Sequence, residues 1–229
     1  MTNKRNKIVP EVKGTLRSHM IELPKVISNA TGIRVFGKRL KSFVFSTDVA
    51  VIKNTNADAV IAVYPFTPQP VITSALILAA DVPVFCGIGG GLTMGKRVVN
   101  LALDAEFKGA MGVVVNSPTP NDIVREIRET IDIPIVVTVV SEYEDVQARI
   151  DAGATILNVS GAKRTSYIVK SIRDKFSDIP IIATGGNNEE SITETIEAGA
   201  NAITYTPPTP GEIFSDTMKK YRNKFDGNE

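Results

Sequence analysis

Short apolar, β-branched runs alternate along this chain with longer segments whose apolar residues recur at helical spacing. "DVPVFCGIGG", "DIPIVVTVVS" and "DIPIIATGGN" begin at Asp81, Asp132 and Asp178, and between them stand "GAMGVVVNSP", "GATILNVSGA" and "GANAITYTPP", from Gly109, Gly153 and Gly199. "NADAVIAVYP" from Asn56 is a looser copy, and "SFVFST" at Ser42 completes eight predicted strands. Each is followed by a helix-like stretch, such as "NDIVREIRETI" or "TSYIVKSIRDKF". The copies at Asp132 and Asp178, like those at Gly153 and Gly199, are 46 residues apart. This period divides the chain into four similar quarters, as closure of a barrel requires. The pattern predicts an α/β protein, a (β/α)8 barrel over residues 42–229, preceded by an N-terminal extension, residues 1–41, that caps the lower mouth. "LPKVISNA" in that extension reads as a short helix. An open doubly wound sheet is the alternative.

Polar residues within the strands fix their register, because the outer face must bury against helices. Asn158 and Ser160, and Thr204 and Thr206, occupy equivalent positions in two copies and are predicted to point inward. The same register points Ile61, Val63, Gly87, Val114, Asn116, Thr138 and Thr184 inward, and turns Cys86 outward as a small core thiol. The upper mouth is then ringed by Gly87, Asn116, Thr138, Ser160, Thr184 and Thr206, polar and uncharged. "VITSALILAA" reads as a helix packed on the barrel, and "KKYRNKF" as a solvated last helix anchored by Tyr221 and Phe225. Tyr64 and Phe66, beside "PFTPQP", read as a lid over the mouth or a subunit contact.

Composition narrows the function. Lys+Arg 26 against Asp+Glu 25 leaves almost no net charge, so no nucleic-acid partner is expected. A 43% hydrophobic fraction with 22% charged residues is that of a globular protein, and no run approaches the roughly 20 apolar residues of a membrane span. A single cysteine excludes an internal disulfide. The expected setting is cytoplasmic, with a homo-oligomer possible. No strand carries a Schiff-base lysine into the mouth, the one histidine, His19, lies in the N-terminal arm, and no metal-ligand cluster or Ser-His triad is visible. Asp48 and Glu142 are the acids found just after strands.

Two glycine-rich loops invite an anion. "CGIGGGLTMGKR" contains the spacing of a nucleotide P-loop, but Arg97 stands where a Ser or Thr should bind magnesium. The amides around Gly89 and Gly90, with Lys96 or Arg97, form a second possibility, and a plain flexible loop a third. "ATGGNNEES" and "TYTPPTPGEIF" make the stronger phosphate seat, because loops after the last two strands of such barrels commonly hold phosphate. Gly185 and Gly186 would let backbone approach the oxyanion, with Thr206 and Thr209 adding hydroxyls. Alternatively, the glycines form a turn and Thr209 caps a helix.

At "DIPIIATGG", "EAGANAI" and "IPIVVTVVSEYEDVQARIDAGATILNVSGA" the chain resembles the aldolase-type, phosphate-binding TIM barrels. This group includes inosine monophosphate dehydrogenase, flavin-dependent oxidoreductases and keto-deoxy-phosphogluconate aldolases. The resemblance covers residues 42 to 215 and implies a small anionic metabolite as ligand. It departs from the dehydrogenase at "GAKRTS", which lacks the catalytic cysteine, and from flavin enzymes at "TPPTP", leaving the cofactor unknown. The reading is an isomerase or carbon-carbon lyase on a phosphorylated or carboxylated metabolite. Asn116, Asn158 and Ser160 would orient the reacting end, Lys163 or Arg164 would offset negative charge, and Glu142 or Asp48 would be the base. The alternatives are a ligand-binding regulator similar to barrel antiterminators and a hydrolase of unknown substrate.

Overall fold

A computed structural model describes residues 10–225 apart from 13, 16–18 and 187. An antiparallel hairpin, β1 (Ile33–Val35) and β2 (Lys38–Leu40), precedes eight parallel strands: β3 (Ser42–Phe45), β4 (Ala59–Ala62), β5 (Val84–Gly89), β6 (Gly112–Val115), β7 (Ile135–Val139), β8 (Ile156–Val159), β9 (Ile181–Thr184) and β10 (Ala202–Tyr205). The eight close into a barrel in chain order, β10 pairing with β3. A helix follows each: α1 (Val49–Lys53), α2 (Pro70–Ala79), α3 (Lys96–Phe107), α4 (Asn121–Thr130), α5 (Val146–Asp151), α6 (Thr165–Arg173), α7 (Glu189–Glu197) and α8 (Pro210–Phe225). The expected (β/α)8 barrel is therefore the fold.

Local chemistry starts these helices where the sequence allows it. Asp48, Asp145 and Asn188 accept amide protons at the first turns of α1, α5 and α7, and Pro70 opens α2, where its missing N–H costs nothing. Two apolar clusters divide the core as the register predicts. Val44, Val60, Cys86, Val113, Val137, Leu157, Ala183 and Ile203 face the helices. Phe43, Ile61, Phe85, Val114, Val136, Ile156, Ile182 and Ala202 fill the barrel. Phe43 and Phe85 meet edge to face, 5.3 Å between centroids. Burial pushes the Cys86 thiol up to about 12, so it stays neutral in the outer wall.

The hairpin caps the N-terminal end of the barrel. Phe36 (φ 44°) and Gly37 (φ 83°) form its two-residue turn, and Ile33, Val35 and Leu40 join the inner cluster. Asp58, just before β4, accepts from the Lys41 and Ser42 amides at 2.8 and 3.0 Å, while the Gly32 amide donates to the Asn201 carbonyl at 2.7 Å. Burying those three side chains stabilises the barrel by about 1.5–3 kcal/mol each. A 3-10 helix, Lys25–Asn29, lies in "LPKVISNA" and packs beside α7. It and Leu23 supply apolar cover to the outer cluster that α8 does not. No residue of α8 is buried, and Tyr221 (57% exposed) and Phe225 (88%) anchor nothing, contrary to the expectation for the last helix.

Candidate functional site

Parallel neighbours in a closed barrel are staggered, so alternate strands contribute to one interior level. The strand registers place Ile61, Val114, Asn158 and Thr204 on one level. Phe45, Gly87, Thr138 and Thr184 form the next one up, and Val63, Asn116, Ser160 and Thr206 the rim. The C-terminal mouth is thus apolar on its β3–β6 side, except for Asn116, and lined by hydroxyls and an amide on its β7–β10 side.

The polar side is poorly satisfied from within. Asn158 Nδ2 reaches Thr138 Oγ1, and Thr184 Oγ1 reaches Ser160 Oγ, both at 3.4 Å, a weak separation. Asn158 Oδ1 and Thr204 Oγ1 are buried with no partner. Thr204 is only 5% exposed. A buried polar atom left unpaired costs about 1–3 kcal/mol.

A cavity of about 480 Å³ opens between the loops after β8 and β9, lined by Lys163, Thr165, Thr184, Gly185, Gly186 and Glu194 among others. Gly186 also borders an adjoining open cleft with Thr206, Thr209, Glu212 and Lys219. Both glycines have a packing reason of their own. A Cβ on Gly185 would stand 2.7 Å from Ile203 Cγ2, and one on Gly186, at φ 81°, 2.3 Å from Ser191 Oγ. The start of α7 carries Glu189 and Glu190, which oppose an anion there. Thr209 and Glu212 form a capping box: Glu212 Oε2 accepts from the Thr209 amide and hydroxyl at 2.7 and 2.8 Å, and those bonds hold its pKa below the ordinary value.

The loop after β5 is built differently. Gly89 (φ 122°) and Gly90 (φ 98°) lead into a turn in which the Gly90 amide donates to the Thr93 carbonyl at 2.9 Å. A Cβ on Gly90 would lie 1.9 Å from Thr119 Oγ1 and 3.1 Å from the Asn116 amide nitrogen. With the loop after β4 it encloses a cavity of about 240 Å³, walled by Val63, Pro65, Phe66, Leu92 and Val114 and bordered by Asn116. Lys96 and Arg97 do not line it.

Asp48 and Glu142 line none of these cavities. Asp48 Oδ1 caps α1, accepting from Ala50 and Val51 amides at 2.8 and 3.1 Å. Glu142 pairs with Arg164 and lines a separate cavity beside α5 and α6. The structure therefore gathers Asn158, Ser160, Thr184, Lys163, Gly185 and Gly186 at one side of the mouth, sets Asn116, Gly89 and Gly90 at the other, and leaves the two acids outside.

No protein-family model matches the sequence, and no curated protein matches it significantly. Many solved structures share the fold. A 2,3-dimethylmalate lyase, described as a PEP mutase/isocitrate lyase superfamily member, superposes with a TM-score of 0.62 at 12% identity, covering 93% of this chain and 87% of its own. A phosphonopyruvate hydrolase solved with oxalate and Mg++ gives 0.63 at 13%, covering 82% and 83%. The phosphoenolpyruvate phosphomutase of Streptomyces platensis subsp. rosaceus gives 0.57 at 10%, covering 81% of each. At such identities the likeness establishes the (β/α)8 barrel fold and nothing finer. Among the described residues no group of three or more His, Cys, Asp or Glu is placed to hold a metal ion. No described helix is long and apolar enough to cross a membrane.

Proposed function

We propose that the protein is a lyase or isomerase acting on a small carboxylated or phosphorylated metabolite at the β7–β10 side of its mouth. One observation carries this reading. Thr184 lies 3.4 Å from Ser160 of the rim and also lines the cavity shared by Lys163, Gly185 and Gly186, so one side chain links the reacting-end residues to the anion-end cavity. Cleavage or isomerisation beside a carbonyl builds negative charge on its oxygen, which fixed neutral donors such as Asn158 Nδ2 and the Ser160 and Thr184 hydroxyls would stabilise without reorganising. Lys163 would hold the substrate's own anion. Asp48 and Glu142, engaged elsewhere, have no part in this version.

The test is a thermal-shift screen of carboxylates, phosphate and sugar phosphates against the native protein, followed by turnover assays on each hit. The expected result is a shift confined to anionic compounds that Lys163→Met reduces and Lys163→Arg restores. Absence of any anion-dependent shift well above a millimolar dissociation constant would remove the reading. A ligand-binding regulator is the second reading, favoured by the engagement of both strand-end acids. Saturable binding without conversion of any hit would select it.

A further inference from the structure

We infer that the β3–β6 side of the mouth is a second subsite, which takes a short apolar group carried by the same ligand whose polar end rests on the β7–β10 rim. The inference rests on the reading of the mouth as a small-molecule site, but not on the anion. Three observations converge on it. The two sides share interior levels, so above the buried Ile61 and Val114 the rim residues Val63 and Asn116 face Ser160 and Thr206 across the mouth. On the apolar side the cavity of about 240 Å³ is smaller than a drug-sized pocket, fitting a ring or a short alkyl chain.

Two exposed apolar side chains border its opening. Phe66 is 74% exposed and Leu92 95%, one from each bordering loop. Large apolar groups facing water around one concave opening mark a surface meant to be covered. Tyr64 is fixed beside them, its hydroxyl accepting from the Gln69 amide at 2.9 Å.

Glycine at 87 keeps the floor open. Its position points inward, and a Cβ there would already lie 3.1 Å from Val63 Cγ2, so any larger side chain would fill the space between the walls. The glycine-rich loop that resembles a phosphate cradle is in this view the wall of an apolar chamber. Its Gly90 amide is spent on Thr93, and the basic residues beyond it lie outside.

The experiment is a methyl-detected NMR titration of the full chain with two matched series of about four to eight carbons, n-alcohols and n-carboxylates. The expected dissociation constant falls about fourfold per added methylene until the chamber is full. Val63 and Val114 methyls should move, and Leu92→Ser and Gly87→Ala should each flatten the chain-length dependence. Leu92 is almost fully exposed, so its variant folds even if the glycine variant does not. Chain-length dependence in both series, with carboxylates no tighter than alcohols, supports the subsite and removes the anion reading. Carboxylates that bind with no dependence on length overturn the subsite and leave the anion reading standing. Length dependence untouched by either variant, without Val63 or Val114 shifts, places the apolar group elsewhere and also overturns it.

Discussion

The two sides of the mouth are made from the same repeat yet differ in what holds them. On the β3–β6 side, Gly90 abuts Thr119, which is fully buried and whose hydroxyl donates to the Asn116 carbonyl at 2.7 Å. On the β7–β10 side, Gly186 abuts Ser191, whose hydroxyl has two acceptors within reach, the Gly185 and Asn188 carbonyls at 2.9 and 3.0 Å. The apolar wall is locked by a neighbour that cannot move, and the polar side is bounded by one that can. A rigid chamber selects by shape, while fixed donors on the polar side suit a headgroup on which charge builds during a reaction.

The largest test of that difference is a pair of alanine substitutions. Gly90→Ala puts a methyl 1.9 Å from a fixed oxygen at a positive φ, and should destabilise the protein by about 3 kcal/mol, combining backbone strain with overpacking. Gly186→Ala carries similar backbone strain and meets Ser191 Cβ at 2.9 Å, but the tighter 2.3 Å contact is with a hydroxyl that can turn aside, so a smaller loss of about 2 kcal/mol is expected. Urea unfolding measures both. Equal losses would mean that the two walls are equally rigid and the comparison fails.

A smaller effect, but one with opposite signs in two assays, follows from Thr204. Thr204→Val removes a buried, unpartnered hydroxyl and keeps the shape, so the ligand-free protein should gain about 1 kcal/mol, or about 2–4 °C in melting temperature. Ligand affinity should fall about tenfold if that hydroxyl bonds the ligand. A variant that loses stability would reveal a partner for Thr204 within the protein, and the polar side would no longer be distinguished by unmet bonds.

How much of this was legible in the sequence depends on the range of the interaction. The inward register was readable because an Asn or Thr among β-branched residues repeats at equivalent positions, and Asn158 and Thr204 are placed accordingly. Cys86 in the outer wall follows from the same alternation. The hairpin was not read, although "RVFGKRL" carries its signal in a Phe-Gly turn between short alternating runs. The purpose of the loop glycines lay beyond sequence reasoning. Gly90 is required by Thr119 and Gly185 by Ile203, contacts between segments that only closure of the barrel brings together. Asp48 looked like a base because it follows a strand, but the next residues begin a helix that takes its carboxylate as a cap. The walls of the apolar chamber come from two strands, β5 and β6, and the loops after β4, β5 and β6, with no shared motif to announce them.

The smallest expected effect separates charge from shape on the polar side. Glu194 lines the same cavity as Lys163, so its carboxylate opposes any anion that Lys163 attracts. Glu194→Gln keeps the size and an acceptor oxygen while removing the charge. An exposed charge interaction of about 0.2–1 kcal/mol implies a tightening of phosphate or carboxylate binding by about 1.4- to fivefold at low salt. The gain should disappear in about 0.5 M salt, where the screening length falls below the width of such a cavity. Binding of n-alcohols should not change in either condition, because a neutral headgroup and an apolar chain sense neither charge. If alcohols tightened as well, the substitution would have reshaped the cavity, and the polar side would discriminate by fit in the way assigned here to the apolar one.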